Sequence, residues 1–460
     1  MIARSLRFAT ALTVTILLVA ACETAAPSGA PTGAPTGAAS PTTGATNAPP
    51  SAPPTVDDLG NITIEMWQHT YPPLQAWTQA RIDEFTTAHP NVTVELQAIP
   101  FQQYQDVLFT ALAGGQAPAF FEVNEWTMTQ FVEAGILAPL DVAALGFDSL
   151  DAMRAAYDGS ALEGAVFDGA LYGSPYDWTA PVLGVNNQLL ADAGVDKASL
   201  TTWEATLAAL APLSETDADG NLVESGLSFV HGIDNYYKHQ GNNLFAQAGA
   251  RIFTEDGTAS AINSPEAKRV FQLWHDAIHE QKVTQPGFTA TFYTNEFGEG
   301  RVAAGFMLPW ANSILAPFNW QFGREYDILD LPTFEGGTGR LASYAWYWTV
   351  NAAASPEEAI VTHALMAHLG DNSASMLTEA GLILPRSAWY ERQPADVQAA
   401  YATIREALLL TDPLPRHPRY NELWEPVIAV FEAVEANPAA DIDALLAAAE
   451  LQINGIINRP

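Results

Sequence analysis

The chain has 460 residues, a formal net charge of −33 and lysine at only four positions. Nucleic acids and anionic phospholipid surfaces are bound through basic patches, so this charge excludes both as expected partners. The single cysteine, Cys22, excludes an intramolecular disulfide and a zinc site built on cysteine thiolates. The acidic surface favours solubility in a crowded extracytoplasmic space, and it is equally compatible with a salty habitat.

The N-terminus has the pattern of a secretory leader. Arg4 and Arg7 precede an apolar run from Phe8 to Ala21, which is shorter than the roughly 20 residues that a membrane-spanning helix needs. These features predict a signal peptide over residues 1–21. The segment Val19-Ala20-Ala21-Cys22 resembles a bacterial lipobox, which implies that the Cys22 thiol receives a diacylglyceryl group. The alternative is an ordinary cleaved signal peptide with an incidental cysteine.

A low-complexity segment follows the leader. Residues 22–58 consist mainly of Ala, Pro, Gly, Thr and Ser, and they contain no aromatic residue. Such a segment buries too little apolar surface to offset the entropy of ordering it. Its prolines favour a semi-rigid, extended tether. We therefore expect a disordered tether over 22–58 and a fold that begins near Leu59.

Strand and helix patterns alternate from residue 61 onwards. The predicted elements are a strand over 61–68, a helix over 74–88, a strand over 92–99, a helix over 104–115, a strand over 117–123 and a helix over 127–137. This alternation predicts a parallel α/β sheet, in which ligands bind beyond the carboxyl ends of the strands. Those ends place His69–Tyr71 and Asn124–Trp126 at a candidate site.

The second part of the chain continues the same pattern. An aromatic turn and an apolar strand occupy 171–187, and two apolar runs predict buried strands over 301–308 and 343–351. The predicted helices cover 201–213, 264–281, 355–369 and 438–457, with Thr201 or Thr202, Ser264 and Ser355 as N-caps. About 400 residues of this kind exceed what one hydrophobic core usually serves, so we expect two lobes.

A series of motifs in a fixed order carries a family resemblance. The motifs are FQQYQDVLFTALAGGQAP, FVEAGILAPLD, ALYGSPYDW…LGVNNQLLADAGVD, LTTWEA, FGEGRVAAGFMLPW and GLILPRSAWY. In this order they resemble the extracellular solute-binding proteins of ABC importers, in the sugar-binding family related to maltose-binding protein. The resemblance covers the chain from about residue 60 to its end.

The resemblance implies a two-lobed α/β fold that closes on its ligand about hinges. One lobe would comprise 59–177 plus 310–355, and the other 178–309 plus 356–460. The hinges would lie near Tyr176–Thr179, Leu308–Ala311 and Ala352–Ser355. The implied function is a receptor without catalytic activity, cofactor or metal, which binds a mono- or oligosaccharide as a monomer and delivers it to an ABC permease.

Aromatic and carboxylate side chains together suit a sugar, because its C–H faces stack on rings and its hydroxyls need planar hydrogen-bonding groups. Position and resemblance together select these candidate contacts: Trp67, Glu125, Trp126, Asp177, Trp178, Asp234, Tyr236, Trp310, Trp346 and Trp424. The stretch SYAWYWTVN replaces a Gly-rich stretch common in the family, so we expect a narrowed cleft and an altered ligand size.

Two other functions remain open from the sequence. A secreted glycoside hydrolase would need two carboxylates facing each other across a cleft, and the acidic composition offers many candidates. A solute sensor of the same fold would bind a non-sugar ligand and would itself be recognised by a membrane kinase. His275 and His279 have the i, i+4 spacing of zinc ligands, but no third ligand is evident, and a solvated helix face is the favoured interpretation.

Overall fold

The computed structural model describes residues 54–288, 293–310, 315–372 and 375–459. The predicted signal peptide, Cys22 and the tether up to residue 53 lie outside the described residues. Structure is already described before the expected start at Leu59. A single 3-10 turn at Val56–Asp58 buries Val56, and the Asn91 side chain donates a hydrogen bond of 2.9 Å to the Val56 carbonyl. This turn is ordered because a neighbouring loop satisfies its backbone.

The described chain contains both strands and helices. The strands are β1 Ile62–His69, β2 Val92–Ile99, β3 Phe120–Asn124, β4 Val166–Phe167, β5 Ala170–Leu171, β6 Ser174–Thr179, β7 Val182–Asn186, β8 Glu215–Thr216, β9 Leu222–Ser228, β10 Val302–Met307, β11 Tyr326–Leu329, β12 Leu341–Ala342, β13 Tyr344–Val350 and β14 Thr411–Asp412. The helices are α1 Pro72–Ala88, α2 Phe101–Ala113, α3 Glu125–Glu133, α4 Leu150–Ala156, α5 Asn187–Ala193, α6 Trp203–Leu210, α7 Asp234–Ala248, α8 Pro265–His275, α9 Tyr293–Gly298, α10 Pro356–Asp371, α11 Met376–Ala380, α12 Ser387–Glu391, α13 Ala395–Leu409, α14 Tyr420–Ala436 and α15 Ile442–Ile457.

The first lobe is built on a five-stranded sheet in the order β2-β1-β3-β13-β6. The strands β1, β2 and β3 run parallel, whereas β13 is antiparallel to both of its neighbours. Every residue of β3 and of β13 is buried, because helices cover both faces of the sheet. The carboxyl ends of β1 and β3 therefore lie at the same edge, as the sequence predicts.

The second lobe is built on a five-stranded sheet in the order β11-β7-β10-β9-β8. β10 is parallel to β9, and β7 is antiparallel to both β10 and β11. The helices α7, α8 and α14 pack against one another beside this sheet. The predicted α/β fold with two lobes is confirmed.

The lobe boundaries implied by the resemblance are wrong in two places. β11 fills the free edge of β7, so the chain near 326–329 belongs to the second lobe and not to the first. Helix α10 buries Val361, Leu365 and Leu369 and packs on α1, β1 and β13, so it belongs to the first lobe and not to the second. In both cases the partner surface, and not the position in the chain, determines where the element lies.

The crossings between the lobes shift accordingly. The chain passes from β6 to β7 at 180–181, next to the expected hinge at Tyr176–Thr179. It returns to the first lobe between β12 and β13. It leaves the first lobe again between α11, which packs on α1, and α13, which packs on β7 and β11. Ala352–Ser355 is not a crossing, because β13 and α10 belong to one lobe. At the expected hinge Leu308–Ala311, Ala311 is outside the described residues, and β10 and β11 share one sheet.

Local capping signals explain where the helices begin. Thr202 and Ser264 each accept a hydrogen bond of 3.2 Å from a backbone N–H in the first turn, and Ser355 forms a capping box with Glu358. The last helix begins at Ile442, so the predicted helix over 438–457 is four residues too long. Within the described residues, no helix has the length and apolar character needed to cross a bilayer.

Candidate functional site

Aromatic rings from both lobes meet where α3 faces α7. Trp126, in the first turn of α3, has its ring centroid 4.8 Å from that of Tyr344 and 4.9 Å from that of His239. The rings of His239 and Tyr344 approach edge to face, with centroids 4.2 Å apart. Such pairs add attraction beyond the area they bury. These three rings therefore form the central contact between the lobes.

The aromatic surface continues into both lobes. On the first lobe, Trp346 lies 6.2 Å from Tyr344 and stacks on His69 at 4.4 Å between centroids. On the second lobe, Tyr236 lies 6.1 Å from His239. We call these six rings the aromatic strip: Tyr236, His239, Tyr344, Trp346, His69 and Trp126. Its members alternate flat apolar faces with polar edges, which is the surface that an amphipathic ligand requires.

Two small pockets both have His239 in their lining. The first is lined by Pro181, Val230, Tyr236, His239, Gln240, Asn243, Phe306 and Leu308. The second is lined by Trp126, Thr179, Pro181, His239, Asn242, Asn243, Leu308, Ala342, Ser343 and Tyr344. Each has a cavity volume of about 10 Å³, room for a single water molecule. Only the second pocket has lining residues from both lobes, and a sugar can enter it only if the lobes separate.

Asn243 joins α7 to the crossing between β12 and β13. Its Oδ1 accepts a hydrogen bond of 3.0 Å from the backbone N–H of Ala342, and its Nδ2 donates one of 2.8 Å to the carbonyl of His239. The side chain is buried, so both bonds are shielded from water. This residue connects the peptide that carries His239 directly to the interlobe crossing.

A lysine beside the aromatic strip is nearly buried. Lys238 Nζ lies 5.3 Å from the centroid of the Trp126 ring and donates a hydrogen bond of 2.8 Å to Asn421 Oδ1. Burial lowers the pKa of this ammonium to about 8, although the carboxylates of Asp234 and Glu425 act in the opposite direction. Burial, together with the Lys238 charge, lowers the pKa of His239 to about 3, so this ring is neutral at physiological pH.

Glu125 connects three segments at the interlobe crossings. Its Oε1 accepts hydrogen bonds from the backbone N–H of Leu414 at 2.8 Å and from the Ser343 hydroxyl at 3.0 Å, and its Oε2 accepts from the same hydroxyl. Burial raises the pKa of this carboxyl to about 7, and these hydrogen bonds and the nearby Arg416 offset part of the shift. Both oxygens are therefore engaged by the protein itself.

A second buried carboxyl lies below Trp346 in the first lobe. Asp177 is 5% exposed, and its Oδ1 has no hydrogen-bond partner among the described residues. Burial raises its pKa to about 7, His69 acts against this shift, and Glu122 adds to it. Glu122 accepts hydrogen bonds from His69 and from the Tyr176 hydroxyl. Asp177 thus borders a polar cluster inside the lobe and does not line either pocket.

The structure brings some of the predicted site residues together. Trp126, Tyr236 and Trp346 belong to the aromatic strip, and Glu125 adjoins it. Trp67, Trp178 and Trp424 are packed in the core and line neither of these two pockets. Trp424 is fully buried because α14 presses it against α7 at Gly241. Asp234 is exposed in the first turn of α7, and Trp310 is half-buried and lines neither pocket.

Several residues at this site were missed by the sequence analysis. His239, Gln240 and Asn243 follow the predicted Tyr236 at i+3, i+4 and i+7, the spacing of one helix face. The same periodicity could have selected them once HGIDNYYKHQGN was interpreted as a helix start. Tyr344, in contrast, alternates along a strand buried on both faces, where periodicity does not distinguish a cleft residue from a core residue.

The histidine pair considered for zinc is used structurally. His275 Nε2 contacts the carbonyl of Pro438 at 2.9 Å, and His279 Nε2 contacts that of Val434 at 2.8 Å. Both rings thereby join α8 and the π-helical turn after it to the end of α14. Among the described residues, no group of three or more His, Cys, Asp or Glu side chains is arranged to hold a metal ion.

The chain matches a known protein family. The profile of the bacterial extracellular solute-binding proteins matches residues 71–375, which include every strand of the two five-stranded sheets except β1. The chain belongs to this family. It is thus an extracytoplasmic solute-binding protein, as the resemblance in its motifs predicts.

Relatives of this solute-binding protein are distant. A binding protein of Brucella abortus (strain 2308) is 23% identical over 275 residues, which are 56% of this chain and 60% of that protein. The match thus leaves two fifths of the curated relative's length uncovered. An ABC substrate-binding protein of Listeria monocytogenes, in complex with cycloalternan, is similar over 86% of this chain and 99% of its own, with 22% identity and a TM-score of 0.72. The maltotriose-binding protein of Thermus thermophilus, bound with maltotriose, is 20% identical, with a TM-score of 0.71 and coverage of 86% and 100%.

Proposed function

We propose that this protein is a receptor that captures a carbohydrate between its lobes and delivers it to the permease of an ABC importer. The observation that carries the proposal is the aromatic strip, together with the amide side chain of Asn242 in the second pocket. Rings stack on the C–H faces of a sugar, and amides exchange hydrogen bonds with its hydroxyls. The saccharide ligands of the structural relatives named above are of the same chemical class.

Binding would work through a change in the equilibrium between open and closed lobes. A sugar that contacts Trp126 on one lobe and Tyr236 on the other gains contacts only when the lobes close. Its differential affinity for the closed state shifts the population towards closure. The crossings at 180–181 and 341–343 are the hinges about which the lobes turn. A permease that recognises the closed form would then receive loaded receptors selectively.

The carboxylates near the pockets support a receptor more than a hydrolase. A glycoside hydrolase needs an acid and a base or nucleophile that both reach the substrate. Glu125 is already engaged by Ser343 and Leu414, and Asp177 lies below the strip inside the first lobe. The solved relatives are named as binding proteins, in agreement with a function without turnover.

The N-terminal features fit the same function. We infer that the Cys22 thiol receives a diacylglyceryl group and that residues 1–21 are then removed, which anchors a monomeric receptor to the outer face of the cell membrane or in a periplasm. The segment that follows would hold the lobes away from the bilayer while keeping them near the permease. Globomycin blocks lipoprotein signal peptidase, and replacement of Cys22 by serine prevents acylation. Membrane fractions from globomycin-treated cells, and from cells that express the Cys22→Ser variant, should therefore lack the mature anchored form.

A thermal-shift screen over mono- and oligosaccharides tests the carbohydrate function. A sugar that binds only the folded protein increases the free energy of unfolding by about 2.7 kcal/mol at a hundredfold excess over Kd. The unfolding temperature therefore rises. Trp126→Ala should abolish this shift, whereas Trp203→Phe, in the core of the second lobe, should retain it. Shifts with polyamines or phosphate esters but with no sugar would contradict the proposal. Release of products from a bound glycan would replace the receptor by a hydrolase.

A further inference from the structure

Lys238 is a buried cation at the contact between the two lobes. It belongs to α7 of the second lobe, in the same helix as Tyr236 and His239 of the aromatic strip. The residue is only 8% exposed, and its Nζ lies 5.3 Å from the centroid of the Trp126 ring. Because Trp126 belongs to the first lobe, the positive charge is covered by a ring from the opposite lobe.

The protein gives this ammonium group few partners. An ammonium can donate three hydrogen bonds, and within the described residues Lys238 donates one, to Asn421 Oδ1 at 2.8 Å. In the part of the chain that the structure describes, Lys238 forms no ion pair, whereas Lys197 and Lys268 each pair with an aspartate. The buried lysine at the lobe contact thus has unused capacity for an anion.

The pKa of Lys238 reflects this incomplete compensation. Burial lowers it to about 8, although the carboxylates of Asp234 and Glu425 favour the charged form. The side chain is still mostly protonated at pH 7, so the cation is present when a ligand arrives. The ring face of Trp126 attracts it, but more weakly than an anion at hydrogen-bond distance would.

Separation of the lobes would uncover the ammonium where a ligand enters. Trp126 moves with the first lobe, whereas Lys238 and its partner Asn421 both belong to the second. The same indole lines the second pocket beside His239 and Asn242. A sugar that inserts between Trp126 and α7 therefore comes within reach of Nζ. A negatively charged substituent on that sugar would supply the ionic partner that the protein does not provide.

We propose that the ligand is an acidic saccharide whose single negative charge pairs with Lys238. The inference rests on the proposed carbohydrate function and narrows its substrate class. The charged group is a singly charged oxyanion, either the carboxylate of a uronic acid or a sulfate ester. A doubly charged phosphate monoester fits less well, since one cation leaves its second charge unpaired close to the carboxyl of Glu125.

The strongly acidic surface does not prevent binding of such a monoanion. At physiological ionic strength, charges in water that are more than about 8 Å apart are largely screened, whereas a buried contact is screened much less. The net charge of −33 therefore slows the approach of an acidic sugar more than it weakens the contact with Lys238.

Isothermal titration with matched pairs of sugars tests this inference at pH 7 and constant ionic strength. The pairs are glucuronic acid and glucose, galacturonic acid and galactose, and mannuronic acid and mannose, each as mono- and disaccharide, and the 6-sulfated sugars distinguish the two sources of charge. In the pair that binds, we expect the acidic member to bind about tenfold to a hundredfold more tightly than the neutral one.

Variants of Lys238 assign this preference to its charge. Lys238→Met keeps the length of the side chain and should bring the ratio of the two affinities to about one. Lys238→Arg keeps the charge and should retain the preference. Lys268→Met, which removes an ammonium paired with Asp443 at the surface, is the control and should leave the ratio unchanged. Binding of the neutral sugar and the unfolding temperature show that each variant is folded.

Two results would overturn the inference and leave the proposed function intact. The first is a wild-type protein that binds neutral sugars as tightly as their acidic counterparts, a result that needs no variant. The second is a Lys238→Met variant that retains the full preference for the acidic sugar, which would leave Lys238 with a structural function through Asn421. If no sugar in either set binds, the carbohydrate function itself fails and this inference fails with it.

Discussion

At the scale of single residues, Glu125 shows how burial changes the chemistry of a predicted contact. The sequence places a carboxylate at the end of a parallel strand, where ligands bind. The fold surrounds it with the Leu414 N–H, the Ser343 hydroxyl and Arg416. Its ionised form is therefore costly, because the charge is buried away from water. The stability of the contacts that it makes at the crossings thus depends on pH.

Glu125→Gln should remove one component of the pH dependence of stability. The pKa of Glu125 is raised from 4.5 to about 7, so its contribution to stability is present below pH 4.5 and is lost as the pH rises through 7. Relative to the wild type, the variant should gain up to roughly 3 kcal/mol in free energy of unfolding between pH 5 and pH 8. Urea titrations at pH 5, 6.5 and 8 measure this difference.

Glu133→Gln, at the exposed end of the same helix, is the control for that experiment. It should leave the pH dependence as in the wild type, because its carboxylate stays in water in both states. A Glu125→Gln variant that is destabilised equally at all three pH values would show that Glu125 acts only through its shape and hydrogen bonds.

At the scale of elements, close packing of α7 on α14 explains why Trp424 is buried. Gly241 lies opposite Trp424, and a Cβ at this position would be 2.6 Å from Trp424 Cη2. The Tyr420 hydroxyl donates a hydrogen bond of 2.7 Å to Asn242, and Lys238 bonds Asn421, so the two helices are joined over two turns. The same contact orients the face of α7 that carries Tyr236 and His239.

Gly241→Ala should destabilise the protein although alanine favours a helix. The new methyl group overlaps a core indole that cannot move freely, and such overpacking costs roughly 1–3 kcal/mol, more than the roughly 1 kcal/mol gained in helix propensity. Gly455→Ala is the matched control, since this glycine is exposed in α15 and a Cβ there meets nothing within 4 Å. The unfolding temperature of the Gly455→Ala variant should rise. A rise for Gly241→Ala as well would contradict the packing argument.

At the scale of the whole molecule, excess negative charge opposes compaction. The formal charge of −33 arises from 52 acidic and 19 basic residues, so most carboxylates lack a cationic partner. Some of the cationic side chains form short ion pairs, such as Lys268–Asp443 and Arg340–Asp412. Repulsion among the remaining charges is long-ranged at low ionic strength and is screened by salt.

Salt should therefore stabilise the folded protein. Raising NaCl from 0.02 M to 0.5 M shortens the screening length from about 20 Å to about 4 Å, which weakens repulsion between distant carboxylates. We expect the unfolding temperature measured by calorimetry to rise by a few degrees and then to level off. KCl at equal concentration should act alike, because screening depends on ionic strength. A fall in unfolding temperature with either salt would show that the ion pairs outweigh the repulsion.

The sequence by itself determined those features of the fold that local signals encode. The spans of β1 and β2 were predicted to within one residue, and Thr202, Ser264 and Ser355 cap their helices as expected. Periodicity and capping depend on neighbours within a few residues, so they can be recognised without the fold. The order of the motifs likewise identified the family.

Only the tertiary structure decided which surfaces meet. β11 joined the second sheet and α10 the first, in contrast to the implied lobes, because each completed an edge or face made by residues far away in the chain. For the same reason Trp126 became an interlobe contact and Trp424 a core residue, although both are tryptophans on helices. His239 acquired its position only when α7 docked on the crossing through Asn243 and Ala342. Local pattern specifies what a segment can form, whereas long-range packing determines what it contacts.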